Sequence, residues 1–501
     1  MSSWVRINLN SICDIGTGKW DANHSVINGK FRFYTCAFEH LYCDTKRFKG
    51  ECLILPGNGA NVGEVFYYNS DFDAYQRTYV ISNILINSKY LYYHLLCFWR
   101  HRNSDKQFGS ATNYIRIGNF NNYIVDSPPH PEQKAIVAKI EQLFSDLDNG
   151  IANLKKAQKQ LKIYRQAVLK KAFEGELTKE WREAQADLPT ADELLKQIKE
   201  ERAKYYQKQI DEWKEAVKEW EANGKECKKP SKPKKQKELS PLAEKELEEL
   251  PKFPVGWKWV KMDYVTERAK KIIKNKLILE NDFFYFDIGG IDNKLKKIVS
   301  YKTYKWKNAP SRAKQIIEFE DTLFSTVRTY LKNIALVDKK MYDKQICSTG
   351  FTVLRGIKPN IVSRFIYYLS MSERFIQTLN KLQVGTSYPA VKDDDLFNQA
   401  FPLCSTEEQH QIVQEIETRL SVCDNVEANI KESLIKAESL RKSILKKAFE
   451  GKLLIEAELE EVKNDPEWEP AEKLLARIEQ SRNEKIKAEK TKSSKQKRKK
   501  R

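Results

Sequence analysis

A chain of 501 residues is too long for one core, and with 41% hydrophobic and 11% aromatic residues it has material to fill several. Its 31% charged residues and mean hydropathy of −0.64 assign much of the length to solvated helix or tail, and no stretch approaches the ~20 apolar residues of a membrane span. The formal charge of +19 points to a polyanionic partner, because each Lys or Arg set against a phosphate releases counterions.

The opening Met1-Ser-Ser-Trp-Val-Arg6 has no basic stretch leading into an apolar one, so no secretory signal is expected. The nine cysteines, at 13, 36, 43, 52, 97, 227, 347, 404 and 423, are scattered and form no Cys-x-x-Cys pair. Reduced thiols in a cytoplasmic protein, without a zinc site, are the expectation.

Residues 1–128 read as a globular module, and from Pro131 the pattern changes to one long helix. Apolar positions recur at steps of four and three through Ile140, Phe144, Leu147, Ile151, Leu154, Leu161 and Val168, interrupted at Gln158 and Arg165. Pro131 is tolerated in a first helical turn, and Gly175 stands where the helix should stop. About forty residues would make a rod of roughly 60 Å.

Thr190-Ala-Asp-Glu193 has capping-box spacing and opens another helix, with Tyr206, Ile210, Trp213, Val217 and Trp220 at heptad spacing. Beyond Trp220, the basic, proline-containing run from Lys225 to Lys237 reads as a tether.

A second module over 254–402 leads into a second long helix. Glu132-Gln133 aligns with Glu408-Gln409 at an offset of 276, without a gap to Leu177 on Leu453, and 21 of the 46 aligned positions are identical. Leu169-Lys-Lys-Ala-Phe-Glu-Gly175 recurs as Leu445-Lys-Lys-Ala-Phe-Glu-Gly451. The second seam runs through Ile416, Leu420, Cys423, Ile430, Leu434, Ala437 and Ile444, with Glu427 and Arg441 inside it. Ser405 and Glu408 have capping-box spacing.

Upstream, Gly109-Ser-Ala-Thr falls at the same offset from Gly385-Thr-Ser-Tyr, each behind an aromatic stretch, Tyr90-Leu-Tyr-Tyr93 and Phe365-Ile-Tyr-Tyr368. Trp4-Val-Arg-Ile7 parallels Trp259-Val-Lys-Met262. Glu472-Lys-Leu-Leu475 echoes Asp192-Glu-Leu-Leu195, so the duplication continues past the glycines.

The expected fold class is therefore α+β: two mixed α/β modules separated by two long antiparallel coiled-coil helices, with a pseudo-two-fold internal repeat. The segments are a module over 1–128, a spacer helix over 129–185, a charged helical or flexible spacer over 186–253, a module over 254–402, a spacer helix over 403–456, and a helical, then basic and disordered, tail over 457–501. The alternative for the seams is packing on their own modules.

A variable module and a long helix opened by Pro-x-x-Glu-Gln and closed by Lys-Lys-Ala-Phe-Glu-Gly, followed by both again, resembles the specificity subunit of type I restriction-modification systems. The resemblance rests also on Leu177-Thr-Lys-Glu-Trp-Arg182, Leu250-Pro-Lys-Phe-Pro-Val-Gly-Trp-Lys-Trp259, Ser348-Thr-Gly-Phe351 and Gly385-Thr-Ser-Tyr-Pro-Ala-Val391, in this order. It implies that each module is a target-recognition domain for half of a bipartite double-stranded DNA sequence, with the helices setting the gap. It implies no cofactor in this chain, methyltransferase subunits carrying S-adenosylmethionine, and a motor-nuclease subunit using ATP and magnesium, in a bacterial or archaeal cytoplasm. The repeated block suggests Lys170, Lys171, Phe173, Lys446, Lys447 and Phe449 as partner contacts.

Base reading needs Arg or Lys for guanine and Asn or Gln for adenine, while phosphate takes cations and hydroxyls. In the second module, Phe324-Ser-Thr-Val-Arg-Thr-Tyr-Leu-Lys332 is a polar loop between two strand-like runs, offering Ser325, Arg328 and Lys332. Its counterpart, Pro56-Gly-Asn-Gly-Ala-Asn61, offers Asn58 and Asn61. The glycine loops offer Ser110, Thr112 and Asn113, and Thr386, Ser387 and Tyr388. Lys305, Lys307, Arg312 and Lys314 surround Trp306 in a basic aromatic patch suited to phosphate. An ordinary turn or a solvated face explains each of these segments as well.

Catalytic signatures do not assemble. Gly16-Thr-Gly-Lys19 is a fragment of a phosphate loop, with Trp20 where Ser or Thr is required. Gly57-Asn-Gly-Ala-Asn-Val-Gly63 lacks dinucleotide-site spacing. Ser127-Pro-Pro-His130 lacks the aromatic that amino-methyltransferases place there, and Phe401-Pro-Leu403 imitates its prolines at the second helix start. The six histidines show no metal spacing, and no serine is framed as Gly-x-Ser-x-Gly. The competing readings are a nucleic-acid-binding coiled-coil scaffold indifferent to sequence and a helical protein adaptor.

Overall fold

The computed structural model describes the chain except for residues 1–3, 104–112, 226–228, 234–239, 273–277, 340–344 and 500–501, and the side chains of 485–486 and 488–499. Two compact units form, residues 1–156 with 430–501, and residues 157–429. The two long helices are His130–Phe173 and Thr406–Phe449, 44 residues each and offset by 276 at both ends. Each unit thus holds one module, the first part of one helix and the last part of the other.

In the first unit, strand Val5–Asn8 pairs antiparallel with Ile124–Ser127. An antiparallel sheet follows in the order Asp14–Thr17, Thr78–Ser82, Glu51–Pro56, Phe66–Asn69. A smaller sheet, Leu41–Cys43, Phe31–Tyr34, Phe72–Ala74, contains one parallel pair. The run Cys52-Leu-Ile-Leu55 is fully buried because its strand is covered on both faces. Leu53 and Leu55 enter the core shared with helix Ser88–Arg102, while Cys52 and Ile54 enter the core of the smaller sheet.

The second unit repeats this plan. Lys258–Lys261 pairs with Ala400–Leu403, and the antiparallel sheet runs Thr266–Glu267, Phe351–Gly356, Thr322–Ser325, Ile334–Leu336. Its second sheet, Lys302–Lys305, Asp282–Phe286, Gln345–Ser348, Ala313–Ile316, keeps the parallel pair and adds a strand. Leu323 and Phe324 again point into two different cores. Helices Ser363–Ser370 and Glu373–Lys381 stand in place of the single helix Ser88–Arg102.

Strand pairing corrects one sequence alignment. Val5 faces Ser127 and Lys258 faces Leu403, so the partner of Trp4 is Trp257, two residues before Trp259. The indole Nε1 of Trp4 donates to Glu132 Oε1 at 2.9 Å, and that of Trp257 to Glu408 Oε2 at 2.7 Å. Trp259 Nε1 instead donates to the carbonyl of Pro251.

The repeated Glu-Gln pair fastens each long helix to its module. Gln133 accepts from the Asn87 amide at 2.9 Å and donates to the Pro128 carbonyl at 2.9 Å. Gln409 accepts from the Val362 amide at 2.9 Å and donates to the Cys404 carbonyl at 3.0 Å. Both glutamines are fully buried, so these bonds replace water that cannot reach them. Ser405 caps through the Glu408 amide at 3.2 Å, but the Glu408 carboxylate is taken by Trp257, Thr178 and Arg182, leaving half a capping box. Gly175 and Gly451 close the helices at φ +79 and +69, backbone that favours glycine.

Within the second unit, Arg165 reaches Asp424 at 2.7 Å and Glu427 at 3.0 Å; within the first, Arg441 pairs with Asp148. The segment expected as a spacer is partly structural. Helix Ala191–Ala222 opens with the Thr190–Glu193 capping box and buries Ala191, Leu194 and Ile198 in the second core. Leu474 and Ile478 do the same in the first. Arg202 donates to the carbonyls of Asp263 and Thr266, and Arg482, 280 residues on, to the carbonyl of Asn10 and the carboxylate of Asp14.

Candidate nucleic-acid interface

Two loops proposed separately from the sequence meet at one tip of the second module. Strand Thr322–Ser325 runs out into a loop whose Thr326 carbonyl accepts from the Val391 amide at 3.0 Å, and whose Arg328 amide donates to the Pro389 carbonyl at 2.7 Å. Val384 and Ala390 exchange backbone bonds of 2.9 and 3.0 Å, closing a hairpin with Thr386, Ser387 and Tyr388 exposed at its end. Gly385, at φ +107, makes that reversal possible.

The first module repeats the backbone scheme with other side chains. Ile115 donates to the Gly57 carbonyl at 2.9 Å and Gly59 to the Asn113 carbonyl at 2.9 Å. Gly59 therefore corresponds to Arg328, and both are left-handed, at φ +88 and +50. Asn58 bridges Tyr114, and Asn113 is exposed, but the Asn61 amide is committed to the Cys36 carbonyl at 2.9 Å. Ser110 and Thr112 lie outside the described residues.

At the second tip the Arg328 guanidinium lies 4.6 Å from the Tyr388 ring centre, and its Nη2 donates to the Ser387 carbonyl at 3.0 Å. Lys332, also left-handed, donates to Glu373 at 2.7 Å. Lys296 donates to the Lys332 carbonyl at 2.6 Å; burial, aided by the Lys332 charge, pushes its pKa down to about 8. Ser325 is buried, with its hydroxyl on the Val327 carbonyl, and supports the loop from beneath.

The basic aromatic patch is partly engaged by contacts within the protein. Trp306 is a core residue, stacked on Phe283 at 4.0 Å, and Lys305 and Lys307 are both paired with Glu280. Arg312 is exposed nearby, with its carbonyl accepting from Thr349. The repeated Lys-Lys-Ala-Phe block also divides. Phe173 packs on Phe365 at 5.1 Å and Phe449 on Tyr90 and His94 at 5.4 and 5.0 Å, so both rings are core anchors, whereas Lys170, Lys171, Lys446 and Lys447 are exposed.

Sequence reading missed Lys296, which reaches the second tip only through tertiary contacts, and Tyr114 and Arg116, which follow closely on Asn113 in the chain. The Arg116 guanidinium donates to the Tyr114 hydroxyl at 2.9 Å. Burial raises the Cys13 thiol to about 12 and the Cys52 and Cys97 thiols to about 11, which leaves them poor nucleophiles. Among the described residues, no group of three His, Cys, Asp or Glu is placed to hold a metal, and no helix is long and apolar enough to cross a membrane.

Residues 1–157 and 254–436 match the type I restriction modification DNA specificity domain, well over half of the chain, and the chain belongs to that family. It is 27% identical over 458 residues to the type I restriction enzyme EcoDI specificity subunit of Escherichia coli, covering 90% of this chain and 88% of the relative. To the StySPI specificity subunit of Salmonella potsdam it is 21% identical, covering 86% and 81%. The solved HsdS subunit from Thermoanaerobacter tengcongensis is 38% identical over 37% of this chain and 48% of that one, with a TM-score of 0.34. Family membership assigns this chain DNA recognition rather than catalysis.

Proposed function

We propose that the chain is the DNA-reading subunit of a type I restriction-modification complex, each module reading one half of a gapped, bipartite target. The observation that carries this reading is the equivalence of the two tips. The same backbone bonds recur at Gly57, Gly59, Thr326 and Arg328, while the side chains they present differ. One scaffold with two sets of contacts suits two unlike half-sites separated by a fixed distance.

In this reading the two long helices run antiparallel as a coiled coil and set that distance. The exposed Lys170, Lys171, Lys446 and Lys447 lie on the surface offered to methyltransferase subunits, which bring S-adenosylmethionine. A motor-nuclease subunit brings ATP and magnesium, and the complex works in the cytoplasm. The experiment is to sequence methylated adenines in a host carrying the complex, then replace residues 1–128 with another module. A gapped motif in which only one half changes supports the proposal; a continuous motif, or none, rejects it.

A further inference from the structure

The second tip contains a feature that a phosphate-binding surface would not require. Arg328 and Lys332 are both non-glycine residues in left-handed backbone, four positions apart, and such strain persists only where surrounding structure holds it. Here the holding contacts are the Pro389 carbonyl on the Arg328 amide and the Ser387 carbonyl on Nη2. Tyr388, 71% exposed, lies against the guanidinium.

These contacts fix which edge of the guanidinium is available. Nε is buried, without a partner among the described residues, so the side edge faces protein. Nη2 has used one of its two N–H groups on Ser387, and Nη1 has no bond to the described residues and is not buried. Nη1 and the second N–H of Nη2 therefore remain available as donors, in a plane set before any ligand arrives. Lys332, by contrast, already has a carboxylate partner in Glu373.

We infer that Arg328, braced by Tyr388 and Ser387, is the guanine-reading residue of the second module, its two terminal nitrogens donating to guanine O6 and N7 in the major groove. The inference rests on the functional reading above. A preset fork recognises two acceptors in one plane, which guanine presents and adenine does not. Tyr388 acts as a positioning residue for the fork.

The test uses the full-length chain and a pool of duplex DNA carrying a randomised stretch, with bound molecules sequenced. The wild-type chain should enrich a guanine at one position of the second half-site. Arg328→Lys keeps the charge but loses the fork, and should reduce that enrichment roughly tenfold to a hundredfold while leaving the first half-site unchanged. Tyr388→Phe should preserve it and Tyr388→Ala should weaken it, with thermal melting reporting that each variant folds. Unchanged guanine enrichment in Arg328→Lys, or an even loss at all positions, overturns the inference alone. A wild-type chain that enriches no sequence overturns the functional reading, and this inference with it.

Discussion

Arg165 and Asp424 form a 2.7 Å ion pair between the two long helices, and adding 276 to the first number and subtracting it from the second gives Arg441 and Asp148, which are also paired. Both arginines interrupt a largely apolar seam, as do Gln158 in the first and Glu427 in the second. A polar residue within a seam lowers stability but fixes register.

Replacing both arginines with leucine is therefore expected to leave stability within about 1 kcal/mol, since partly exposed pairs contribute little. Register should loosen instead. In the restriction-modification reading, the double variant methylates targets with more than one gap length. A single unchanged gap in the sequenced methylome would show that the pairs do not set the spacing.

Gln133 and Gln409 satisfy buried backbone groups, so alanine at either leaves an amide and a carbonyl without partners. The expected cost is about 1–3 kcal/mol for each stranded group. Hydrogen exchange should quicken at Asn87 in Gln133→Ala and at Val362 in Gln409→Ala. Equal protection in variant and parent would mean that the helix starts are held by something else.

Asp321 and Arg355 form a buried bidentate pair at 2.6 and 2.8 Å, with Glu318 on the remaining edge of the guanidinium at 2.7 Å. Asp321→Ala strands the arginine and should cost about 3–5 kcal/mol. Asp321→Leu combined with Arg355→Met should recover most of that loss. A double variant no more stable than the single would show that the pair is needed for more than its mutual neutralisation.

His94 is fully buried, with the Tyr123 hydroxyl 3.1 Å from Nδ1 and Nε2 unpartnered among the described residues. Burial, aided by the nearby Arg102 charge, lowers its pKa to about 3. The folded state therefore refuses a proton that the unfolded chain accepts below ~6.5. Its contribution is present above the unfolded value and lost as pH falls towards 3, reaching about 2 kcal/mol of lost stability at pH 5. His94→Leu should flatten the melting profile of the first unit between pH 7 and pH 5; an identical slope would exclude His94 as its source.

Both long helices and their starts were legible in the sequence, because a helix is written in local spacing and in the residues that open it, but the segments drawn to 185 and 456 run past the observed ends at Phe173 and Phe449. The Glu-Gln pair was visible as a repeat, but not as a fastening, since its partners Asn87 and Val362 lie 46 and 47 residues upstream. Only the folded chain decided that Trp4 corresponds to Trp257, that Trp306 is core, and that Lys305 and Lys307 share Glu280. It also brought Arg328 to Tyr388. Strand pairs join residues far apart in sequence, and a side chain's exposure depends on which strand arrives beside it, so no local pattern carries that information.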